Sequence, residues 1–241
     1  LMSLWIAEGF VQKSVIKSLE DVAEEYIYEL ISRSLVMVSK ERSLGGVRTC
    51  RIHDLLHEFC LVKAQKENFL QFLHGDDKLF TFDEPRNLQR LCIFSGQDIF
   101  ADSRLCSTRV NSLMFYAQED EMLRSGFPKF LFLFFKRLRV LDLRQFCLHG
   151  ELPSEIELLS ELRYLAIHLS ANSIPSSVGN LSHLETFIVQ AGGNVLLPDT
   201  IWNLKKLRRL DARNGFTFNW AEENLGSLHN LDSISVLVLS S

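Results

Sequence analysis

The sequence has few cysteines and no pattern that would pair them. Its 241 residues include five cysteines, and none of them forms a Cys-x-x-Cys pair. An odd number of cysteines without such pairs argues against a disulfide scaffold and favours a reducing, intracellular compartment. The longest uninterrupted apolar run covers residues 130–135, between Lys129 and Lys136, and is far too short to span a bilayer. We expect it to be a buried stretch that leads into a strand.

Sequence patterns that carry enzymatic chemistry are also missing. No G-x-x-x-x-G-K-[S/T] loop occurs, so nothing in the chain cradles phosphates or places a lysine on them. There is no Ser-His-Asp order, no paired-carboxylate pattern and no Cys-His arrangement, and an enzyme is therefore not supported. The net charge of −4 gives no reason to expect nucleic acid or an acidic membrane surface as a partner.

The sequence does contain one pattern that returns at a nearly fixed distance. Residues 138–143 read Leu-Arg-Val-Leu-Asp-Leu, and similar segments begin at Leu162, Leu184, Leu207 and Leu231, after steps of 24, 22, 23 and 24 residues. Weaker copies begin at residues 88 and 110. A period of about 20–29 residues that carries L-x-x-L-x-L predicts a leucine-rich-repeat region.

Each L-x-x-L-x-L segment is predicted to be a short strand whose alternate side chains point to opposite faces. Leu141 and Leu143 would point inward and stack on their equivalents in neighbouring repeats, because one repeat alone cannot bury its apolar face. A second apolar ladder, which begins at the pairs Leu152-Pro153, Ile174-Pro175 and Leu197-Pro198, is expected to close the convex side. The predicted fold is therefore an α/β solenoid curved like a horseshoe.

The concave side of this solenoid is the predicted partner-binding surface. We expect it to be lined by Val140, Asp142, Arg144, Tyr164, Ala166, His168, Thr186, Ile188, Gln190, Arg209, Asp211 and Arg213. Tyrosine and arginine are favoured where binding energy concentrates, and the candidate contact residues are therefore Arg144, Tyr164, His168, Arg209 and Arg213. A solvated face of mixed charge that binds nothing is the alternative.

The first 70 residues lack the repeat and follow a helix, hairpin, helix order. Ser18 and Asp21 have the S-x-x-D spacing of a capping box, which predicts a helix from there to about residue 33. Two β-like runs at 35–38 and 47–52 are joined across Gly45-Gly46, which predicts a hairpin, and a third helix follows with its apolar residues on one side. This order is typical of the last part of a winged-helix domain.

The predicted organisation has three parts. Residues 1–70 form the winged-helix part, residues 71–85 a junction, and residues 86–241 about seven repeats, with an irregular or inserted repeat at 117–128. Because the chain begins with Leu1 rather than Met and its last repeat stops near its strand, we expect a fragment of a longer protein. A winged helix can bind DNA, but residues 1–70 contain nine Lys or Arg against ten Asp or Glu, so the required positive surface is absent.

His53 and His57 stand one helical turn apart, which is a spacing that zinc ligands use. The metalloprotease pattern, however, needs Glu directly after the first histidine, where this chain has Asp54. Surface or capping histidines, a nucleotide-sensing His53 and a metal site all remain open from the residue types alone.

Several segments together resemble a known family. The first is Leu-Trp-Ile-Ala-Glu-Gly-Phe-Val at 4–11, followed by 19–26, 30–35 and the Ile-His-Asp segment at 52–54. In this order they resemble plant disease-resistance proteins with a nucleotide-binding domain and leucine-rich repeats, of the coiled-coil class and similar to late-blight-resistance-type proteins. The last segment resembles the family's Met-His-Asp motif with Ile52 in place of methionine.

The resemblance implies roles that the residue pattern alone does not. His53 would contact bound ADP and hold the receptor inactive, with Asp54 as its orienting partner. The intact protein would exchange ADP for ATP when a pathogen effector, or a guarded host protein, is perceived through the repeats, and it would work in the cytoplasm, with a peripheral place at membranes as the alternative. The family's phosphate loop lies upstream of the winged helix, so we expect no ADP or ATP binding by this chain alone. A plain leucine-rich-repeat interaction scaffold is the alternative function.

Overall fold

The computed structural model describes residues 1–41, 46–74, 89–94, 109–116, 127–218 and 233–237. The chain divides into two compact units, Leu1–Phe69 and Leu70–Ser241. The first corresponds to the predicted winged-helix part and the second carries the repeats. Each unit has its own core, and each is described separately below.

The first unit begins with two helices, α1 (Met2–Glu8) and α2 (Leu19–Ser32). Their shared core contains Ile6, Val11, Val22 and Ala23. Helix α1 ends at Gly9, whose φ of 81° lies in the left-handed region that glycine tolerates best. The backbone N–H of Phe10 donates to the Trp5 carbonyl at 2.9 Å and closes this helix end.

Helix α2 starts with the capping box that the sequence predicts. The backbone N–H of Asp21 donates to Ser18 Oγ at 3.1 Å, and the backbone N–H of Ser18 donates to Asp21 Oδ2 at 3.0 Å. These bonds lower the pKa of the Asp21 carboxyl. They also satisfy N–H groups at the helix start that have no partner within the helix. The prediction of a helix from Ser18 to about residue 33 is confirmed.

We expect Ser18→Ala to lower the stability of the first unit by about 0.5–2 kcal/mol, because the first turn of α2 loses its side-chain acceptor. Ser32→Ala is the matched control, since Ser32 is the exposed last residue of the same helix and its hydroxyl donates only to the Glu29 carbonyl. Urea unfolding followed by far-ultraviolet circular dichroism measures both. Equal losses for the two variants would show that the capping box contributes nothing specific.

A hairpin and a third helix complete the first unit. Strands β1 (Val36–Glu41) and β2 (Val47–Ile52) pair antiparallel, as predicted, while the turn residues 42–45 lie outside the described part. Helix α3 (Asp54–Lys66) follows, and it has no buried residue. Its apolar side chains Leu55 and Phe59 are 74% and 63% exposed.

The second unit is built on a parallel sheet. Its strands are β3 (Gln71–His74), β4 (Arg90–Phe94), β5 (Ser112–Tyr116), β6 (Val140–Leu148), β7 (Tyr164–Leu169), β8 (Thr186–Ala191), β9 (Val195–Leu197), β10 (Arg209–Phe218) and β11 (Ser233–Leu237). They pair in sequence order, except that β10 pairs with both β8 and β9. All the predicted repeat strands are present. Residues 71–74, predicted as part of the junction, form β3 and pair with β4, so the sheet begins earlier in the chain than predicted.

The inward side chains of these strands form the predicted ladder. Leu141, Leu165, Phe187 and Leu210 are register partners across four strands and are at most 1% exposed. The second ladder also forms, because short 3-10 helices at Ser154–Leu158, Ser176–Asn180 and Asp199–Asn203 each begin directly after a proline. They bury Ile156, Val178 and Ile201 against the same core.

The apolar run before β6 belongs mostly to a helix, α4 (Phe127–Phe134), and the predicted buried stretch leading into a strand is buried only in part. Phe127, Leu131, Phe132 and Phe135 are buried, whereas Leu133 and Phe134 are 41% and 43% exposed. This burial follows the helical period rather than the two-residue period of a strand. Pro128 suits the first turn of a helix, where its missing N–H costs nothing.

Candidate functional site

The outward side chains of β3–β10 form one surface, called here the open face, which corresponds to the predicted concave side. Val140, Tyr164, Thr186 and Arg209 are register partners along one row of it. Asp142, Ala166, Ile188 and Asp211 form the next row. The regular register of the parallel strands therefore brings residues from repeats far apart in sequence onto one surface.

Arg144 is held in place by a carboxylate on its own strand. Its Nε lies 3.0 Å and 3.2 Å from the two carboxylate oxygens of Asp142, and its Nη2 lies 2.6 Å from Oδ2. The two residues are two positions apart, so both side chains stand on the same face of β6. Hydrogen bonding to Asp142 raises the pKa of Arg144, against the opposing effect of burial. The guanidinium is thus both permanently charged and fixed in orientation.

Arg209 repeats this arrangement on β10. Its Nη2 donates to Asp211 Oδ2 at 2.6 Å. Its Nε is buried and has no hydrogen-bond partner among the described residues. The two Arg–Asp pairs are separated by β7 and β8, which at about 4.8 Å per strand places them about 14 Å apart.

Tyr164 lies on β7, next to β6, and so stands between the two Arg–Asp pairs. It stands on the open face as predicted, but the side chain is only 3% exposed, so the expectation that it faces solvent is wrong. Burial first, and the charge of Asp142 second, raise the pKa of its hydroxyl, while Arg144 and Arg209 lower it. Strand alternation determines on which side of the sheet the Tyr164 side chain lies. The neighbouring side chains determine how much of it stays accessible to water.

Of the other two candidate contact residues, only the side chain of His168 is described, and the role of Arg213 stays a prediction. His168 is half-buried and pairs in register with Cys147 rather than with Arg144, because β6 has an irregularity between Asp142 and Cys147. Arg144 and His168 are therefore not equivalent positions of adjacent repeats. Arg213 belongs to β10, and its side chain lies outside the described part of the chain.

An aromatic pair lies beside Arg144. Phe94 on β4 and Tyr116 on β5 are register partners, and their rings stack with centroids 5.4 Å apart. Tyr116 is 47% exposed. Tyr116 stands two residues after Met114, the register partner of Asp142, and Arg144 stands two residues after Asp142 on the adjacent strand. The open face thus combines an exposed aromatic ring with a fixed guanidinium.

His53 and Asp54 lie in the first unit, where β2 ends and α3 begins. His53 is the N-cap of α3, and its Nδ1 accepts a long hydrogen bond of 3.4 Å from the Leu55 backbone N–H. Asp54 is the first residue of α3, where a carboxylate favours the positive end of the helix dipole. Both side chains are exposed, and so is His57 one turn later. His53 therefore caps α3, and its nucleotide-sensing role stays a prediction.

The described residues contain no group of three or more His, Cys, Asp or Glu side chains that could hold a metal ion. None of the described helices is long and apolar enough to cross a membrane. Cys50, Cys60, Cys92 and Cys147 are free thiols, and Cys106 lies outside the described residues. Burial raises the pKa of the Cys92 thiol to about 12, which keeps it protonated at neutral pH.

Two family models match the chain. Residues 1–60 match the disease-resistance-protein winged-helix domain, and residues 109–241, more than half of the chain, match a leucine-rich-repeat region. The chain belongs to the leucine-rich-repeat disease-resistance proteins. The resemblance in its first unit is thereby confirmed, as is the repeat fold of its second unit.

Relatives of this disease-resistance chain are found in a plant, Solanum demissum. The chain is 36% identical to a putative late blight resistance protein homolog of that species, over 100% of this chain and 32% of that protein. It is 35% identical to a late blight resistance protein of the same species, over 100% of this chain and 20% of that protein. The chain thus spans a third or less of these relatives. A solved structure of a Leptospira interrogans leucine-rich-repeat protein aligns with 64% of this chain and 44% of its own, at 18% identity and a TM-score of 0.41.

Sequence reasoning missed the Phe94–Tyr116 pair of this disease-resistance chain. The signal was present, because the two weaker repeat copies carry an aromatic residue at the same register position at the ends of β4 and β5. The predicted contact residues come from the stronger copies, which start at residue 138, and both aromatic residues precede them.

Proposed function

We propose that this chain is the repeat-bearing part of a cytoplasmic immune receptor that switches between ADP- and ATP-bound states. In this proposal the repeats bind a pathogen effector or a guarded host protein, and the start of α3 contacts the nucleotide held by another domain of the same protein. The observation that carries it is the position of His53 and Asp54. Both are exposed at a helix start, within the residues that match the disease-resistance winged-helix domain.

The geometry supports a contact from this helix start to a phosphate. The first turn of a helix presents backbone N–H groups and a positive dipole end, which favour anionic groups. His53 accepts from the Leu55 N–H through Nδ1, so its Nε2 carries the proton when the ring is neutral and points a donor outward. Asp54, as the first helical residue, would stabilise the helix start rather than bind the anion itself.

One hydrogen bond from His53 does not make a nucleotide site. A charge-assisted hydrogen bond contributes about 1.5–3 kcal/mol, whereas a micromolar dissociation constant requires about 8 kcal/mol. The phosphate loop that the family uses is absent from the 241 residues. The proposed role of His53 is therefore to distinguish the ADP-bound state, with most of the nucleotide affinity supplied elsewhere in the full-length protein.

In the full-length protein, Asp54→Val is expected to produce defence output in leaf tissue without any pathogen signal, together with faster ADP release. Loss of the carboxylate loosens the helix start that positions His53, and with it a charge-assisted hydrogen bond of about 1.5–3 kcal/mol. This corresponds to a shift of about 10- to 150-fold in a two-state equilibrium. Transient expression measures the output, and release of labelled ADP from the purified protein measures the switch.

Glu58→Gln is the matched control, because Glu58 is an exposed carboxylate on the same helix, one turn beyond Asp54. It should behave as wild type. If His57→Ala were constitutively active while Asp54→Val was silent, the sensing residue would lie one helical turn further along. If none of these changes altered ADP release, α3 would be a structural helix and the interaction-scaffold alternative would stand.

A further inference from the structure

The centre of the open face carries fixed hydrogen-bond donors next to an exposed aromatic ring. Arg144 uses Nε and Nη2 to hold Asp142, and its Nη1 has no hydrogen bond in the described part of the chain. The side chains of Arg144 and Arg209 are 36% and 42% exposed, so both are partly accessible to a partner. An arginine that is already fixed loses little conformational entropy when a further acceptor binds it.

The acidic side chains described on the open face are already paired with arginines, so a bound anion would not face an unpaired carboxylate. Among the described open-face residues, Asp142 and Asp211 are the acidic ones, and each is paired with an arginine at 2.6 Å. A carboxylate brought to Arg144 would therefore find available N–H donors without facing an uncompensated negative charge. A lysine or arginine brought to the same place would meet guanidinium groups and no unpaired carboxylate, which disfavours a basic partner.

The aromatic pair indicates what should accompany that carboxylate. Tyr116 is almost half exposed and rests on Phe94, so its ring is a rigid apolar platform on the strand next to Arg144. Aromatic residues next to desolvated arginines are typical of positions where binding energy concentrates. An apolar or aromatic side chain of a partner would bury this ring, and the loss of water would strengthen the bond to Arg144.

We propose that the open face binds an acidic segment of its protein partner, with an Asp or Glu carboxylate on Arg144 and a neighbouring aromatic side chain on Tyr116. This rests on the proposed function, in which the repeats recognise a protein, and it adds the chemistry of the recognised segment. Arg209 lies three strand spacings away, about 14 Å across the sheet, and is the second point at which the same segment can be held. The segment would have to run obliquely, because Arg144 stands two residues after the row of Asp142 and Asp211 and Arg209 two residues before it.

The test uses a displayed library of random 12-residue peptides selected on the purified 241-residue chain. We expect enrichment of peptides in which Asp or Glu lies within a few residues of Trp, Tyr or Phe. The affinity of an enriched peptide is then measured by fluorescence anisotropy, and Arg144→Gln should weaken it at least about tenfold, the loss expected for one charge-assisted hydrogen bond. Replacing the peptide's acidic residue by its amide should weaken binding similarly, and the two losses should not add.

Three variants separate the specific contact from other causes. Lys136→Gln removes an exposed cation outside the open face and should leave the affinity unchanged, so an equal loss there would reduce the effect to net charge. Arg144→Gln leaves Asp142 unpaired, so the double variant Asp142→Asn with Arg144→Gln provides a neutral pair and should lose the same affinity. Tyr116→Ala should also weaken the acidic, aromatic peptides.

The outcomes distinguish this proposal from the proposed function. Enriched peptides that lack Asp and Glu but lose affinity in Tyr116→Ala would overturn the acidic chemistry and leave protein recognition by the open face intact. Peptides that bind all open-face variants as tightly as wild type would contradict both. A selection that enriches no peptide, or enriches basic ones, overturns the proposal.

Discussion

Leu165→Ala is expected to lower the free energy of unfolding of the repeat unit by about 2–5 kcal/mol. Leu165 is fully buried on β7 and contacts the core between its register partners Leu141 on β6 and Phe187 on β8. Removal of its side chain leaves a cavity that three repeats line, and short strands held by hydrogen bonds to both neighbours cannot collapse into it. The loss should therefore lie well above that of a surface change.

Leu196→Ala is the matched control, because it makes the same substitution at a strand position that is 41% exposed. It should cost about 0.5 kcal/mol. Guanidinium unfolding of both variants, with the slope of the transition compared to wild type, measures the difference. Similar losses at the two positions would mean that the inward and outward faces have been assigned wrongly. Tyr164→Ala, once its near-complete burial is known, is also expected to destabilise.

Gly179→Ala should destabilise the repeat unit by about 1–3 kcal/mol although it adds only one methyl group. Gly179 belongs to the 3-10 helix Ser176–Asn180, and a Cβ there would overlap both the side chain and the backbone carbonyl oxygen of Thr200. Thr200 belongs to the next 3-10 helix and donates its hydroxyl to the Ser176 carbonyl at 2.7 Å. The backbone cannot move aside without breaking that bond between neighbouring repeats.

Gly192→Ala is the corresponding control, because a Cβ at that position has no neighbour within 4 Å. It should be neutral, or slightly stabilising through the reduced freedom of the unfolded chain. Thermal unfolding of the two variants side by side checks the pair. A neutral Gly179→Ala would show that the 3-10 helices can separate without cost, and that the second ladder is less tightly packed than its contacts indicate.

The repeats were predictable from sequence because their signal is redundant. Leu141, Leu165 and Leu210 each occupy the same place in a pattern that recurs, and stacking is the arrangement that buries all of them. The run at 130–135 carries no such redundancy, since a short stretch of consecutive apolar residues fits a buried strand and a helix equally well. The position of the run relative to the core decides between strand and helix, and this position is a property of the folded unit.

The candidate sites, too, combine features that the local sequence predicts with features that only the folded unit determines. The capping role of His53 and the helix start at Asp54 follow from local sequence, because both depend on a few consecutive residues. The burial of Tyr164 depends on side chains of neighbouring strands, and the pairing of Arg144 with Asp142 depends on their rotamers, which no period in the sequence encodes. The irregularity in β6 that separates Arg144 from His168 is likewise a tertiary feature.

The pairing order of the strands determines how the open face can change during evolution. From β3 to β8 each strand pairs with the next one in sequence, so a repeat contacts its neighbours and little else. Duplication or deletion of one whole repeat by unequal recombination would preserve the inward ladder, because the new neighbours present the same leucines. It would at the same time move Arg144 and Tyr116 closer to, or further from, Arg209. A new arrangement of contact residues can thus arise in a single genetic event without a new core.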